Sequence, residues 1–408
     1  MNDPRKISIR DYTYDLPDDR IALFPLDDRA SSALLVYRNG EITKDVFGHI
    51  QKHIPAGSRL VFNNTKVIHA RLRFRDEQGA VIECFCLEPA EGKSADSAFA
   101  ARSSVDWICM VGNNRKWKSE SLGLYFEGTD GGCELRVQRL RRLGRDFVLR
   151  FNWSNAAYRF SDVLENLGEL PIPPYLKRDT VQSDRIRYNT VYAREEGSVA
   201  APTAGLHFTR ELLSSLKTCG IEQTDITLHV GAGTFRQVSS ETMDGHDMHS
   251  EEFIVSEKSL RELKQTIGCN PLIAVGTTSL RVLESLYWFG CKIIHNKEVL
   301  DQCVIGQWDP YENSVRDLPP LEALEAILGW MEERSMAQLN GQTRLMIAPG
   351  YHFRMIDGLI TNFHQPGSTL LLLVAALIGD DWKRVYQYAM DSNFRFLSYG
   401  DASMLFRS

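Results

Sequence analysis

Pro271-Leu-Ile-Ala-Val-Gly-Thr-Thr-Ser-Leu280 is the stretch that decides the fold. An apolar segment, Pro271–Val275, runs straight into Gly276-Thr-Thr-Ser279, and Leu280, Leu283, Leu286 and Tyr287 then recur at helical spacing. The order is strand, tight turn, helix. Residues 58–62 read as a second buried strand before the polar turn Asn63-Asn64-Thr65. Residues 358–363 read as a third, and Ser368-Thr369 then cap the apolar run Leu370–Ile378, a helix that must be buried. Strands alternating with helices imply an α/β domain built on a mainly parallel sheet.

Moving outward, the texture changes at about residues 71 and 155. Residues 80–87, 106–111, 122–126, 134–139 and 146–151 alternate in polarity and are separated by turns such as Gly128-Thr-Asp-Gly-Gly132. A small antiparallel β unit, sandwich or barrel, is expected there. The fold class is therefore α/β, a large domain made of residues 1–70 and 156–408 and interrupted by a β domain at 71–155. Pro171-Ile-Pro-Pro-Tyr175 would be a stiff, extended re-entry segment. Residues 296–345 are an extra segment in which Pro319-Pro320 followed by Leu321, Leu324, Ile327, Leu328 and Met331 predicts an amphipathic packing helix.

Composition bounds the function. The 408 residues are 43% hydrophobic and 25% charged, which excludes wholesale disorder. The longest apolar run, Leu370–Ile378, is about half of a membrane span. Met1-Asn-Asp-Pro-Arg-Lys does not lead into a signal-like apolar stretch, and Cys84-x-Cys86 is the one close pair among eight cysteines. A soluble, cytoplasmic, metal-free protein without a disulfide framework is expected. The net charge of −6 argues against coating nucleic acid by bulk electrostatics. Residues 71–150 nevertheless carry 14 basic against 12 acidic residues, with six arginines between Arg136 and Arg150. Such a run is either a solvated face or a phosphate contact.

Five short stretches combine glycine with hydroxyls, four of them with a histidine or a carboxylate as well: Ala201-Pro-Thr-Ala-Gly-Leu-His-Phe-Thr209, Thr227-Leu-His-Val-Gly-Ala-Gly-Thr-Phe235, Gly276-Thr-Thr-Ser-Leu-Arg281, Thr361-Asn-Phe-His-Gln-Pro-Gly-Ser-Thr369 and Ser398-Tyr-Gly-Asp401. Glycine admits close backbone approach, hydroxyls donate and accept, and histidine titrates near neutrality. In an α/β sheet, strand-end turns of this kind sit where ligands bind. Gly231-Ala-Gly233 lacks the third glycine of a dinucleotide fingerprint, and no phosphate-loop motif is present. The turn Gly276–Ser279 can offer free N–H groups to an anion at a helix start, with Arg281 one turn in. His246-x-x-His249 has no evident third metal ligand. His207 and His229 lie beside apolar residues, where a satisfied core histidine is the plain alternative to a base.

In this order, these stretches resemble the S-adenosylmethionine:tRNA ribosyltransferase-isomerase family of queuosine biosynthesis. The likeness also rests on Asp11-Tyr-Thr-Tyr-Asp-Leu-Pro17, Ile21-Ala-Leu-Phe-Pro-Leu26, Leu60-Val-Phe-Asn-Asn-Thr-Lys-Val67, Gly168-Glu-Leu-Pro-Ile-Pro-Pro-Tyr175, Tyr188-Asn-Thr-Val-Tyr192, Met248-His-Ser-Glu251 and Phe394-Arg-Phe-Leu-Ser-Tyr-Gly-Asp-Ala402. It covers most of the chain. His69, Gln365, Gly367 and an apparent insertion at Ser403 depart from the pattern. The resemblance implies a large mixed, barrel-like α/β domain interrupted by a small antiparallel β-barrel. It implies transfer and isomerisation of the ribosyl group of S-adenosylmethionine onto 7-aminomethyl-7-deazaguanine at the tRNA wobble position, giving epoxyqueuosine, adenine and methionine. S-adenosylmethionine would be a consumed substrate, tRNA the partner, no cofactor or membrane would be needed, and a monomer is expected.

That chemistry needs a base for a proton made acidic by the sulfonium, hydrogen bonds for departing adenine, an anchor for the methionine carboxylate, and a dry site. His207, His229, His364 and Asp401 are the candidate acids and bases. Thr277, Thr278 and Arg281 are candidate carboxylate anchors. Thr203, Gly205, Gly231 and Thr234 are expected to line the nucleoside pocket, with Asn362 also at the substrate. Arg115, Lys116, Lys118, Arg139, Arg141, Arg142, Lys177 and Arg178 are candidate tRNA phosphate contacts. A paralogue that binds S-adenosylmethionine or a modified base without transfer, and a tRNA-binding module without catalysis, stay open.

Overall fold

The computed structural model describes residues 3–407 except 91, 93–94, 232–237, 239, 296–299 and 313–316, and leaves out the side chain of Asp96. Among the described residues, ten strands form one sheet in the spatial order Cys303–Ile305, Gln338–Thr343, Glu251–Ser256, Glu222–Leu228, Arg59–Asn63, Leu272–Val275, Gly358–Asn362, Ala402–Phe406, Ala33–Arg38 and Glu41–Val46. Its centre is parallel: Arg59–Asn63 pairs parallel with both Glu222–Leu228 and Leu272–Val275, and the latter with Gly358–Asn362. Antiparallel pairs flank that centre, Gly358–Asn362 with Ala402–Phe406 on one side and Glu222–Leu228 with Glu251–Ser256 on the other. The sheet is thus mixed rather than mainly parallel, because helical spacing signals a connection without fixing the direction in which the next strand returns.

Both faces of this sheet are covered. Leu60, Phe62, Ile273, Val275, Ile360 and Met404 pack on one face with Phe208, Leu212 and Leu216. Their chain neighbours Val61, Leu272, Ala274, Leu359 and Leu405 pack on the other with Leu280, Leu283, Leu286, Leu371 and Val374. Alternation of side chains with both sides buried is why these strands read as unbroken apolar runs.

Gly276 takes φ +90°, the left-handed backbone that lets the strand Leu272–Val275 turn sharply into the helix Thr277–His295. Further along that helix, a Cβ on Gly290 would stand 2.2 Å from the Ala323 carbonyl oxygen, so glycine permits close crossing with the helix Pro320–Glu333. This second helix starts at the expected Pro320 and buries Ala323, Leu324, Ile327, Trp330 and Met331. The strands Cys303–Ile305 and Gln338–Thr343 of the 296–345 segment extend one edge of the large sheet, which the sequence did not signal. The apolar helix forms at Thr369–Ile378, with Ser368 accepting the Leu371 N–H.

The inserted unit is a six-stranded antiparallel sheet in the order Arg71–Arg75, Val81–Pro89, Ser104–Gly112, Asp146–Trp153, Gly131–Leu143, Ser121–Gly128, nearly closed into a barrel by the approach of its first and last strands. Five of these strands were expected. The sixth, Arg71-Leu-Arg-Phe-Arg75, was hidden by its arginines. Leu72 and Phe74 point into the core while Arg71 and Arg73 meet the Glu83 carboxylate at 2.6 and 3.1 Å. Among the described residues, no helix is long and apolar enough to cross a membrane.

Candidate functional site

Four of the five glycine- and hydroxyl-bearing turns converge on one open cleft, and the fifth contributes Val230. One wall is the start of the helix Thr277–His295, with Gly276, Thr277, Thr278 and Arg281; the opposite wall is Thr361–Gln365, Ser368 and Thr369; Thr203 and Ser398 complete it.

The helix wall gathers hydrogen-bond donors. The first N–H groups of an α-helix have no partner inside it, and its dipole places positive charge there. Thr278 Oγ1, Arg281 Nε and Arg281 Nη2 are buried without any hydrogen-bond partner, although Arg281 Nη1 is paired with the Glu251 carboxylate. Buried donors left unmade cost about 1–3 kcal/mol each, more when charged, so three together at one helix start are a concentration of unmet hydrogen-bonding capacity.

On the opposite wall, His364 lines the cleft. Its Nε2 lies 2.9 Å from Thr361 Oγ1, its N–H donates to Tyr386 Oη at 3.1 Å, and its carbonyl accepts from Tyr14 Oη at 2.5 Å. Burial lowers its pKa from 6.5 to about 3, so the imidazole is neutral at physiological pH. Asn362 is held at both ends of its amide: Oδ1 accepts from Thr203 Oγ1 at 2.8 Å, and Nδ2 donates to His207 Nε2 at 3.2 Å.

The other acid–base candidates stand elsewhere. His207 lies behind Asn362 and does not line the cleft. With Nε2 accepting, its Nδ1–H donates to Ser32 Oγ at 2.8 Å; the ring packs on Phe47, and burial lowers its pKa to about 4. His229 contacts Thr65 Oγ1 at 3.1 Å and closely faces Gly197, also off the cleft wall. Asp401 accepts from Ala33 N–H at 3.1 Å and from Arg395 N–H and Nη2, each at 2.8 Å, so its carboxylate is committed to joining chain segments.

Among the expected substrate contacts, Thr203, Thr277, Thr278, Arg281 and Asn362 line the cleft, whereas Gly205 and Gly231 do not. Gly205 serves packing, since a Cβ there would sit 1.9 Å from Tyr192 Oη. Thr234 lies outside the described residues. His246, His249 and Glu251 also line the cleft, and among the described residues no group of three His, Cys, Asp or Glu side chains is placed to hold a metal. Glu251 is the last residue of Met248-His-Ser-Glu251, a motif that assigns it no role. A lone acid in an alternating strand carries no signal of the arginine it will meet.

The basic candidates divide by their partners. Arg115, Lys116, Lys118, Arg141 and Arg142 are exposed. The turn carrying the first three and the hairpin carrying the last two share one end of the barrel, since Asn114 Oδ1 accepts from Arg139 Nη1 at 2.8 Å. Arg139 itself is pinned there, stacked over Trp117 at 4.6 Å. Lys177 pairs with Asp18 at 2.8 Å, and Arg178 clamps the fully buried Asp184 with bonds of 2.7 and 2.9 Å.

Residues 9–405 match the family described as queuosine biosynthesis protein. The chain is 37% identical to the S-adenosylmethionine:tRNA ribosyltransferase-isomerase of a Thermoanaerobacter species, over 97% of this chain and 98% of that one. It is equally identical, with the same coverage of each chain, to the enzyme of that name from Caldanaerobacter subterraneus. The crystal structure of S-adenosylmethionine tRNA ribosyltransferase from Thermotoga maritima is 26% identical, covers 97% of this chain and 99% of its own, and gives a TM-score of 0.46.

Proposed function

The chain belongs to the queuosine biosynthesis protein family, and on that premise we propose that it transfers and isomerises the ribosyl moiety of S-adenosylmethionine onto 7-aminomethyl-7-deazaguanine in a tRNA anticodon. The products are epoxyqueuosine in tRNA, adenine and methionine. The sulfonium makes the ribose 5′-methylene acidic. A base takes that proton, the C4′–O bond of the ring opens to give a vinyl sulfonium, and the oxygen left on C1′ becomes an aldehyde as adenine departs with a proton. The aminomethyl nitrogen adds to C4′, the ylide carbon C5′ so formed bonds to C1′, and the resulting C1′ alkoxide closes the epoxide on C5′, breaking the carbon–sulfur bond to release methionine.

What supports this reading above all is the unpartnered trio of Thr278 Oγ1, Arg281 Nε and Arg281 Nη2 at a helix start. Together they form a cradle for the methionine carboxylate. Across the same cleft stand Asn362 and the neutral His364, which alone of the four acid–base candidates lines it. A neutral imidazole can take a proton, and its low pKa keeps it unprotonated beside a cationic sulfur. We assign proton abstraction to His364, adenine-side hydrogen bonding to Asn362 and Thr203, and phosphate contacts to the exposed basic end of the barrel.

S-adenosylmethionine is consumed rather than acting as a cofactor, and the protein is proposed to work as a cytoplasmic monomer. The division at 1–70, 71–155 and 156–408 belongs to the same proposal; Phe160, Val163 and Leu164 pack into the core of the insert from just beyond it. The deciding experiment incubates the protein with S-adenosylmethionine and tRNA bearing the aminomethyl deazaguanine and assays free adenine. Adenine release that requires that tRNA supports transfer. Methylated tRNA, or binding without products, overturns it.

A further inference from the structure

Beside the cleft lies a second, much smaller pocket lined by Arg29, Arg187 and Arg395, together with His207, Ser398 and Tyr399. It shares Ser398 with the cleft. His207 joins the two as well, because it lines this pocket while its Nε2 holds Asn362 of the cleft. Three guanidiniums surround this pocket. Only Arg395 is seen to meet a carboxylate, that of Asp401. Arg29 spends its donors on the carbonyls of Leu206, Ile186 and Asn189 at 3.0–3.1 Å. Arg187 donates to the carbonyls of Asp27 and Leu26, and its Nε is buried with no partner. Carbonyls orient these cations without neutralising them. Burial, and next the charge of Arg187, pull the pKa of Arg29 down from 12.5 to about 10. An anion in the pocket would relieve both.

The rim has a different character. Phe24 is 52% and Ile186 74% exposed, with Leu23 and Val181 also exposed. Phe24 follows Leu23, whose carbonyl accepts from Arg178 Nε at 2.9 Å, and the Arg178 guanidinium stacks 4.2 Å from the centre of the Phe24 ring. A ring braced by a cation and otherwise open to solvent is a platform for a nucleobase.

We infer that this arginine pocket and the Phe24 rim form a nucleic-acid subsite, the pocket taking a backbone phosphodiester of a single-stranded RNA loop and Phe24 stacking a neighbouring base, so that the next nucleotide is fed across Ser398 into the cleft. This rests on tRNA being the substrate, as proposed above. Apolar stacking beside a cationic pocket is the pairing single-stranded RNA needs.

The test is binding of an anticodon stem-loop RNA, without S-adenosylmethionine and scored by fluorescence anisotropy from 50 to 200 mM salt, to the wild-type protein, Arg187→Gln and Phe24→Ala. Arg187→Gln should weaken binding about tenfold and reduce the log–log salt slope by about 0.7–0.9. Phe24→Ala, exposed and therefore safe for folding, should weaken it about 5- to 150-fold with the slope unchanged. S-adenosylmethionine affinity should stay as in the wild type. Unchanged stem-loop affinity in both variants overturns the inference, as does a wild-type protein that does not bind the stem-loop. Saturation of the pocket by inorganic phosphate at sub-millimolar concentration with no effect on the stem-loop would assign it to a free anion and overturns it too. Adenine release is measured separately. Stem-loop binding that depends on Arg187 and Phe24 without adenine release sinks only the transferase reading, and adenine release with unshifted variants sinks only this one.

Discussion

Asn362 donates its amide N–H to His207 Nε2 at 3.2 Å, which places a neutral, buried histidine behind the cleft rather than in it. The histidine fixes the orientation of that amide. His207→Ala should therefore lower turnover about five- to tenfold, the worth of one neutral hydrogen bond, and His207→Gln, which keeps an acceptor, should recover part of it. A loss of about 10²–10⁴ in steady-state kinetics would instead make His207 a direct proton acceptor.

His364→Ala carries the larger expectation. Turnover should fall by about 10²–10⁴ while S-adenosylmethionine binding, measured by calorimetry, is nearly intact. Because burial holds its pKa near 3, the wild-type rate should show no protonation limb near pH 6.5 that His364→Gln removes. Finding such a limb would refute the assignment.

Thr278→Val replaces a hydroxyl by a methyl of the same shape. With Oγ1 unpartnered within the protein, stability should change little, whereas the KM for S-adenosylmethionine should rise about tenfold or more with kcat nearly constant. Equal KM values would remove Thr278 from the carboxylate cradle.

Acid should destabilise the fold through the same histidines. His207 and His364 have folded-state values of about 4 and about 3 against 6.5 when unfolded. Their contribution is complete above pH 6.5 and is lost as pH falls, because the unfolded chain takes up protons first. Between pH 6 and 5, denaturant unfolding should show a loss approaching about 1.4 kcal/mol per histidine. His207→Asn should flatten that slope; an unchanged slope counts against the buried neutral state.

For the barrel, Arg115→Gln and Arg141→Gln should each reduce the log–log salt slope of full-length tRNA binding by about 0.9 without altering S-adenosylmethionine affinity. A flat salt dependence in the wild-type protein would remove this face from tRNA recognition.

Local order carried much of the architecture. Gly276-Thr-Thr-Ser279 after an apolar run can hardly be anything but a strand-to-helix turn, and Ser368 before Leu370–Ile378 declares a helix cap. Arg71–Arg75 escaped because its arginines outnumber the two residues that enter the core, and the edge strand Cys303–Ile305 is too short to show a period.

The sequence by itself determined which turns carry reactive groups, because glycine, hydroxyl and imidazole announce their chemistry wherever they lie. Only the tertiary structure decided which of those groups face one another. His207, His229 and His364 are equivalent as letters, yet sheet packing puts His364 on the cleft, His207 behind an amide and His229 against Thr65. It likewise ties Arg178 to Asp184 while drawing Arg29, Arg187 and Arg395, distant in the chain, around one pocket. Residue type sets what a group can do; burial and partners, which depend on contacts hundreds of residues apart, set whether it is available to do it.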